Sequence, residues 1–274
     1  MLEPLSAKSE FVQRHALPVR LWHWVNALAV LGLLLSGFLI LNVHPRLYWG
    51  NDGHNGMPAL AQLTVDDAAP DAPKSLLAIG SHTLDVSGWM GSVLDFDGAR
   101  YVQFWLPPES WHFGAFRAWH FALAWVFLVG WLLYAIYLAL SRRRQAGLML
   151  RPDDLRLRRI GREFVDHLLL KRARGQAATR YNSFQKFAYL AVLFVLIPVQ
   201  VATGLAMSNS IDAAFPFVVE IWGGHQSART VHFLSASLIT AFLLIHLFQL
   251  FVSGFFNQMR GMITGRFRVD GGEA

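Results

Sequence analysis

Long uncharged runs alternate with short charged segments along this chain. Four uncharged windows cover Leu21–Pro45, Ala118–Ser141, Phe187–Ile211 and Thr230–Met259. Each exceeds the roughly 20 apolar residues that an α-helix needs to cross the hydrocarbon core of a bilayer. A helix also satisfies its own backbone hydrogen bonds, as a segment inside lipid must. The pattern therefore predicts an all-α membrane protein built as a four-transmembrane-helix bundle.

The charged segments between the windows set the expected bounds of the helices. The predicted helices cover residues 20–43, 117–141, 186–209 and 229–255. A loop over 44–116 joins the first two helices, and a loop over 142–185 joins the second and third, within a single membrane domain over 1–274. The first window is too long for a signal peptide, and no small-residue cleavage site follows it. We therefore expect it to be the first transmembrane helix.

Basic residues are concentrated in one of the two long loops. Residues 142–186 hold thirteen Lys and Arg against four Asp and Glu, whereas residues 44–116 hold three against eight. Because basic loops favour the cytoplasmic side, we expect loop 44–116 on the outer face of the membrane, with both termini cytoplasmic. We prefer to interpret the basic residues of 142–186 as a topology signal rather than as a nucleic-acid-binding site. The basic segments could also contact anionic lipid headgroups.

Composition narrows the chemistry that remains. The chain is 54% hydrophobic and 15% charged, whereas a soluble domain has about a quarter charged residues. It has no cysteine, which excludes disulfides, iron–sulfur ligation and thiolate zinc sites in this chain. Any metal must therefore be bound mainly by histidine or carboxylate.

The outer loop is long for a connection and is expected to be functional or to carry structure of its own. It contains four tryptophans, a residue that favours the membrane interface: Trp49, Trp89, Trp105 and Trp111. The loop could therefore lie partly on the bilayer, or it could be the place where another protein docks. For the turn-rich segment Gly50–Pro58 (GNDGHNGMP), a solvated turn cluster is favoured over a binding role.

Four of the eleven histidines lie inside the hydrophobic windows, at His23, His120, His232 and His246. Ionisable side chains inside a membrane are costly and usually functional. One of them alone could be explained by a helix–helix hydrogen bond, but four together favour a cofactor. The other seven lie in loops, arms or window edges, where ordinary surface histidines are expected: His15, His44, His54, His82, His112, His167 and His225.

His232 and His246 are predicted to share one face of the fourth helix near opposite membrane surfaces. They are fourteen residues apart, a spacing that returns to nearly the same face after a rise of about 21 Å. Because successive helices alternate in direction, His23 joins His246 at the inner depth and His120 joins His232 at the outer depth. Each pair can provide the two axial ligands of one haem b inside a helix bundle. Two ligands per depth are too few for a closed zinc site.

Other residues of the windows suit a bulky cofactor. Gly32, Gly37, Gly130 and Gly204 would leave room between helices, although small residues also serve plain helix contact. Four basic side chains at the window edges could pair with haem propionates or anchor at the headgroups: Arg20, Arg117, Lys186 and Arg229. The glycines could therefore serve the cofactor or helix contact, and the basic residues could serve the propionates or the headgroups.

Three sequence features resemble a known family. The first helix begins RLWHWVNALAVLGLLLSGF (Arg20–Phe38), and the third begins RYNSFQKFAY (Arg180–Tyr189), which is similar to the family's YN-x-x-QK turn. The third feature is the fourteen-residue histidine pair. Together they resemble the cytochrome b subunits of bacterial nickel–iron hydrogenase, formate dehydrogenase and thiosulfate reductase, grouped with bacterial cytochrome b561. The segment HPRLYWG (His44–Gly50) resembles members that associate with periplasmic molybdopterin oxidoreductases, but the long outer loop departs from the simplest members.

The resemblance implies roles for individual residues. In the formate dehydrogenase members, haem ligands occupy the positions that match His23, His120, His232 and His246. Residues of the YN-x-x-QK turn lie near a quinone site beside the inner haem, which points to Asn182 and Gln185, whose amides can donate to a quinone carbonyl. The alternative is that Asn182 caps the third helix, with Gln185 in its first turn. His225 could serve an outer quinone site.

The resulting hypothesis is a dihaem membrane cytochrome b subunit that transfers electrons between the quinone pool and a periplasmic redox partner, in either direction. Its own chemistry would be confined to quinone redox and the accompanying proton transfers. One alternative is a free-standing quinol oxidoreductase that reduces ferric iron or superoxide. The others are a protein with a single haem, and a non-redox transporter or anchor whose four histidines line a proton path.

Overall fold

The structure is a computed structural model that describes residues 10–66, 68, 72–96, 99–103, 113–141, 147–169 and 181–269. Several residues named in the sequence analysis lie outside the described residues: Trp105, Trp111, His112 and Arg180.

Four helices of the described chain are long and apolar enough to cross a membrane, which confirms the predicted fold class. They are α1 (Leu17–Val43), α2 (Phe113–Leu140), α4 (Ser183–Ala206) and α7 (His225–Val252). Each begins three or four residues before its predicted start, because Arg20, Arg117, Lys186 and Arg229 lie in the first turns. Long basic side chains can be accommodated at the end of a span by extending their charged groups towards water.

Shorter helices and eight strands complete the described chain. The helices are α3 (Leu157–Leu168), α5 (Asn209–Ala214), α6 (Phe217–Glu220) and α8 (Phe255–Thr264), with a 3₁₀ turn at Pro152–Leu155. The strands are β1 (Glu10–Gln13), β2 (Arg46–Leu47), β3 (Ala61–Asp66), β4 (Lys74–Ile79), β5 (His82–Asp85), β6 (Ser92–Phe96), β7 (Ala99–Gln103) and β8 (Arg266–Val269).

The spans reverse the burial pattern of a soluble helix. In α1, Leu28 and Leu35 are 69% and 56% exposed, while the polar side chains of Asn26 and Ser36 are buried. Lipid is as apolar as leucine, so leucine gains little by leaving the surface, whereas polar groups find their partners inside the protein. This burial pattern agrees with a helix surrounded by lipid.

The chain divides into two compact units, each of which takes part of every span. The first comprises the described parts of Met1–Ala29, Val126–Pro198 and Leu238–Ala274, and the second those of Val30–Trp125 and Val199–Ser237. His23 and His246 belong to the first unit, and His120 and His232 belong to the second. Each histidine pair is therefore described within its own unit.

In the first unit, a buried polar network fastens the 3₁₀ turn and α3 to the start of α4. Lys186 Nζ lies 2.7 Å from Asp154 Oδ2, and the Ser183 hydroxyl donates to Asp154 Oδ1 at 2.8 Å. The Ser183 backbone N–H donates to Glu163 Oε2 at 2.6 Å. Two first-turn groups of α4 thus find partners in the loop that precedes it. The first and last strands of the described chain, β1 and β8, pair antiparallel in the same unit.

The third span contains a π-helical turn at Val192–Leu196, where the Ile197 N–H donates to the carbonyl of Val192, five residues back. In the same register the next donor would serve Leu193, but it belongs to Pro198, which has no N–H. The indole N–H of Trp131 in α2 supplies that bond at 2.9 Å. A proline is thus accommodated in the span without an unsatisfied carbonyl at Leu193.

In the second unit, the outer loop has β-structure that the sequence analysis did not predict as strands. Strands β2, β3, β4 and β5 form an antiparallel sheet in that order, and β6 and β7 form a separate antiparallel pair. Leu63 and Val86 form a small core, with Val65, Leu77 and Met90 packed against it. The described part of the loop is therefore an ordered substructure.

Candidate haem sites

The inner histidine pair lies in the first unit. The ring centroids of His23 in α1 and His246 in α7 are 6.4 Å apart, with ring planes inclined at 51°. Aromatic rings flank both: Phe242 stacks on His246 at 5.9 Å, and Trp24 meets His23 edge-on at 5.2 Å. Among the described residues, the buried Nδ1 atom of His23 has no hydrogen-bond partner.

The outer pair lies in the second unit and has the same spacing. The centroids of His120 in α2 and His232 in α7 are 6.4 Å apart, with ring planes inclined at 63°. Unlike His23, each outer ring has a hydroxyl at Nδ1: Ser36 Oγ lies 2.9 Å from His120, and Thr203 Oγ1 lies 3.0 Å from His232. The two pairs share one geometry but have different surroundings.

Both spacings fit two axial imidazoles on one iron. An imidazole nitrogen lies about 2 Å from a bound divalent metal and about 1 Å from its own ring centre, so two axial rings place their centres about 6 Å apart. Within the part of the chain that the structure describes, no group of three His, Asp or Glu could hold a metal ion. Each pair could therefore supply two protein ligands, the number that a haem iron can take from a protein.

Gln200 of α4 contacts one candidate ligand. Its amide nitrogen lies 2.8 Å from His232 Nε2, and its amide oxygen accepts a hydrogen bond from the Ser235 hydroxyl. Because Nδ1 of His232 is already engaged by Thr203, iron would bind through Nε2. Binding there requires the Gln200 side chain to turn away.

The glycines of the spans lie at close contacts, and two of these contacts are with the outer histidines. A Cβ atom on Gly37 would come within 3.2 Å of His120 Cε1, and one on Gly204 within 3.4 Å of His232 Cε1. Gly130 lies against the side-chain amide of Asn26. The small residues at Gly37 and Gly204 therefore make space for candidate ligand rings, whereas Gly130 serves contact between α2 and α1.

Comparison with known proteins identifies the family. A family model described as prokaryotic cytochrome b561 matches residues 14–265. The chain belongs to the prokaryotic cytochrome b561 family. Membership makes it a multi-pass membrane protein that binds haem b and takes part in electron transfer. The four histidines of its spans offer ligand geometry that fits this cofactor.

One protein with a similar sequence comes from Azospira oryzae. The two sequences are 32% identical over 175 residues, which represent 62% of this cytochrome and 82% of the relative. The provisional name of the relative is protein-methionine-sulfoxide reductase subunit YedZ1.

The basic residues proposed for haem propionates have protein partners in this structure. Arg229 donates to the His44 carbonyl at 2.6 Å, and Arg20 donates to the carbonyl of Ile263. The Arg117 guanidinium lies 5.7 Å from the centroid of the Phe121 ring. Their propionate roles stay predictions.

Lys186 differs from these three because its partner is a carboxylate. It forms the buried ion pair with Asp154 described above, and both side chains are less than 10% exposed. A propionate would have to share the ammonium group with Asp154 or displace it. The propionate role of Lys186 also stays a prediction.

Asn182 and Gln185 form a capping box at the start of α4. Asn182 Oδ1 accepts from the Gln185 backbone N–H at 2.7 Å, and Gln185 Oε1 accepts from the Asn182 backbone N–H at 3.2 Å. The capping role that the sequence left open is therefore present. The quinone role is compatible with it, because these bonds use the amide oxygens and not the NH₂ groups. His225, the other quinone candidate, lies 3.1 Å from Asp212.

The segment that begins the outer loop packs on the start of α7. The Gly50 carbonyl accepts from the backbone N–H groups of Gln226 at 2.9 Å and Ser227 at 3.2 Å, and so caps the helix. Thr230 donates to the Tyr48 carbonyl at 2.6 Å. Gly224 has a positive φ of 119°, and a Cβ there would come within 2.5 Å of the Gly50 carbonyl oxygen. Gly50 is thus part of a docked turn beside Arg229.

His44 belongs to the same docked segment. Its Nε2 atom lies 3.1 Å from the Tyr48 hydroxyl, which donates to the His54 carbonyl. Burial, and then the positive charges of Arg229 and Arg46, lower the pKa of His44 below its ordinary value. His44 is therefore expected to be neutral at pH 7.

Sequence reasoning missed the polar neighbours of the outer histidines: Ser36, Thr203, Gln200 and Ser235. One signal was available, since Ser36 and Thr203 each precede a glycine inside an apolar window. At both positions the hydroxyl contacts a histidine ring, and the glycine leaves space for that ring.

Proposed function

We propose that this cytochrome is a dihaem subunit that transfers electrons between membrane quinone and a redox protein on the periplasmic face. The observation that carries the proposal is the pair of 6.4 Å histidine contacts, His23 with His246 and His120 with His232. When bound, haem supplies one-electron redox chemistry that no side chain of this chain provides.

One haem b is proposed for each unit. His23 and His246 would hold the inner haem, and His120 and His232 the outer haem. Helix α7 contributes one ligand to each pair and is unbroken between them. Two haem sites that draw a ligand from the same span suit a protein that conducts electrons between the two surfaces of a membrane.

The quinone site is proposed at the start of α4, in the first unit. Asn182 and Gln185 are held in place by their reciprocal capping bonds. Each retains an NH₂ group that can donate to a quinone carbonyl. The helix N-terminus adds partial positive charge near that oxygen.

Isosteric acids test the quinone site without removing the cap. Asn182→Asp and Gln185→Glu keep the oxygen that accepts the capping bond but lose the NH₂ donor. We expect slower reduction of the haems by a soluble quinol analogue, with unchanged reduction by dithionite. Ser183 bonds to Asp154 instead, so Ser183→Ala controls for disturbance of this turn. Wild-type quinol kinetics in both acidic variants would contradict the site.

The outer loop is proposed as the docking surface for the redox partner. Its described part is a folded sheet that exposes Trp49, Leu60, Ile79, Leu84 and Trp89. The Azospira relative is named a subunit, which supports a permanent partner rather than free-standing reduction of ferric iron or superoxide. An oxidoreductase of the molybdopterin type fits the resemblance of the segment His44–Gly50. Co-purification of a second polypeptide with the tagged cytochrome, lost on Trp49→Ala and Trp89→Ala, tests this assignment.

Haem stoichiometry tests the central proposal. A pyridine haemochrome assay on the detergent-solubilised protein, with polypeptide quantified in the same sample, is expected to give two b-type haems per chain. His23→Ala and His120→Ala should each remove one haem, and His82→Ala, in the exposed β5 strand, should remove none. A single haem in the wild type would contradict the two-site arrangement, and no haem would contradict both sites.

A further inference from the structure

Each of the two outer histidines has a hydroxyl group beside its Nδ1 atom, whereas His23 of the inner pair has none among the described residues. Each outer Nδ1 atom lies within hydrogen-bond distance of a hydroxyl on an adjacent span, Ser36 in α1 for His120 and Thr203 in α4 for His232. Both hydroxyl side chains are buried, with Ser36 5% exposed and Thr203 fully enclosed. Neither hydroxyl is therefore open to solvent water.

The direction of these hydrogen bonds follows from the single proton of each hydroxyl. Ser36 Oγ donates to the Gly32 carbonyl at 2.7 Å, and Thr203 Oγ1 donates to the Val199 carbonyl at 2.7 Å. With that proton committed, each hydroxyl oxygen acts as the acceptor, and the histidine Nδ1 carries the hydrogen. Each ring then presents the lone pair of Nε2 as its metal-binding atom, and at His232 the Gln200 side chain would first have to turn away.

A second contact supports this tautomer at His232. The Gln200 amide nitrogen, which can only donate, lies 2.8 Å from His232 Nε2. Nε2 must therefore be the acceptor, and the ring hydrogen must be on Nδ1. The contacts on the two sides of the ring agree.

We propose that Ser36 and Thr203 are positioning residues of the outer haem site, which lock His120 and His232 as Nε2 ligands and lower the reduction potential of that haem. The inference rests on the proposed two-haem function. A ligand histidine that donates its second N–H becomes a more basic ligand. More basic ligands stabilise ferric over ferrous iron.

The inner histidine pair has different surroundings from the outer pair. Among the described residues, His23 Nδ1 is buried without a hydrogen-bond partner, and the inner rings are flanked by Trp24 and Phe242. His23 therefore lacks, within the described chain, a hydroxyl of the kind that Ser36 and Thr203 provide. Removing an outer hydroxyl should consequently change one haem and leave the other unchanged.

A glycine follows each hydroxyl residue and leaves space for the histidine ring. Gly37 and Gly204 bring the backbone of their helices against His120 Cε1 and His232 Cε1. Ser36–Gly37 and Thr203–Gly204 therefore act as equivalent dipeptides on different spans. The hydroxyl sets the direction of the ring, and the glycine allows the ring to approach.

Potentiometric titration of the haem-loaded protein, followed by visible and electron paramagnetic resonance spectra, tests the proposal. Ser36→Ala and Thr203→Val should each raise the midpoint potential of one of the two haems and shift one low-spin ferric signal. Thr203→Ser keeps the hydroxyl and should restore wild-type behaviour. Ser237→Ala is the matched control, because Ser237 makes the same backbone bond, to Phe233 at 2.8 Å, but is exposed.

Unchanged potentials in both Ser36→Ala and Thr203→Val, with two haems still bound, would overturn the proposal. An equal shift of both haems would also overturn it, because it would indicate a general effect on the fold. If Thr203→Val loses haem, Ser36→Ala and Thr203→Ser still decide the question. Failure of the proposed function would appear separately, as a wild-type protein without two haems.

Discussion

Asp154 and Lys186 show how a charged residue is accommodated at the start of an apolar span. The two groups lie 2.7 Å apart, and the Ser183 hydroxyl and the Arg151 backbone N–H also donate to the carboxylate. Burial of a charge is tolerated when it is paired and its remaining hydrogen-bonding capacity is satisfied. This network anchors α4, on which the proposed quinone site is built.

Replacing Asp154 by Asn should therefore destabilise the protein strongly. The variant keeps the side-chain volume but leaves Lys186 buried without its counter-ion, and breaking such a pair costs about 3 kcal/mol. The control is Asp153→Asn, because Asp153 pairs with Arg156 on the surface, where an ion pair contributes about 0–1 kcal/mol. Thermal unfolding in detergent, followed by circular dichroism, measures both, and equal midpoints would contradict the prediction.

The same carboxylate predicts a pH dependence. Burial by itself raises the pKa of Asp154, but hydrogen bonds from Lys186, Arg151 and Ser183, and the charge of Lys186, outweigh burial and hold that pKa below its ordinary value. The folded value is lower than the unfolded value of about 3.9. The ionised group therefore stabilises the fold above about pH 4, and its contribution is lost as the pH falls below that value.

Unfolding midpoints of the wild type and of Asp154→Asn across a pH series check this sign. The difference between them should be largest near neutral pH and should shrink below about pH 4, where the wild-type carboxylate becomes protonated. A difference that stays constant across the series would show that Asp154 does not titrate as the structure implies.

At the scale of the element, the third span is the least regular of the four. Its π turn shifts the hydrogen-bond register so that Pro198 leaves the Leu193 carbonyl without a backbone donor, and Trp131 supplies one. The π turn of α4 therefore depends on a side chain of α2 for one of its hydrogen bonds.

Trp131→Phe should destabilise the protein by about 1–2 kcal/mol, because it leaves the Leu193 carbonyl buried without a donor. In a Pro198→Ala background the restored backbone N–H can serve that carbonyl, so the same Trp131→Phe change should cost less. A double-mutant cycle of unfolding midpoints measures the coupling. Equal costs in the two backgrounds would contradict the link between Trp131 and Pro198.

At the scale of the whole molecule, the charge distribution predicts the orientation of the chain in the membrane. Basic residues 142–186 are expected in the cytoplasm, and loop 44–116 in the periplasm. The folded sheet would then be offered to a periplasmic partner, and the start of α4 would lie on the cytoplasmic side. The proposed electron transfer between that partner and quinone depends on this arrangement.

The absence of cysteine makes the orientation directly testable. His82→Cys in β5 and Arg158→Cys in α3 replace exposed side chains, so neither should disturb the fold. A membrane-impermeant maleimide should label His82→Cys in cells whose inner membrane is intact, and Arg158→Cys only after that membrane is permeabilised. The reverse pattern would place the termini in the periplasm.

The sequence by itself determined the four spans and the pairing of the four histidines by depth. Hydrophobic length and charge are local properties, so each span can be recognised without its neighbours. The helical repeat and the alternating direction of the spans then group His23 with His246 and His120 with His232, and the structure brings the same residues together. The helix starts were less accurate because basic first-turn residues resemble loop.

Only the tertiary structure decided which polar groups surround those histidines. Ser36 and His120 are 84 residues apart, Thr203 and His232 are 29 apart, and Trp131 lies 62 residues from Leu193. Such contacts depend on the rotation of each helix about its axis, which is constrained by close contacts such as those at Gly37 and Gly204. Hydrophobic pattern alone does not encode that rotation, because these spans are apolar on nearly every face.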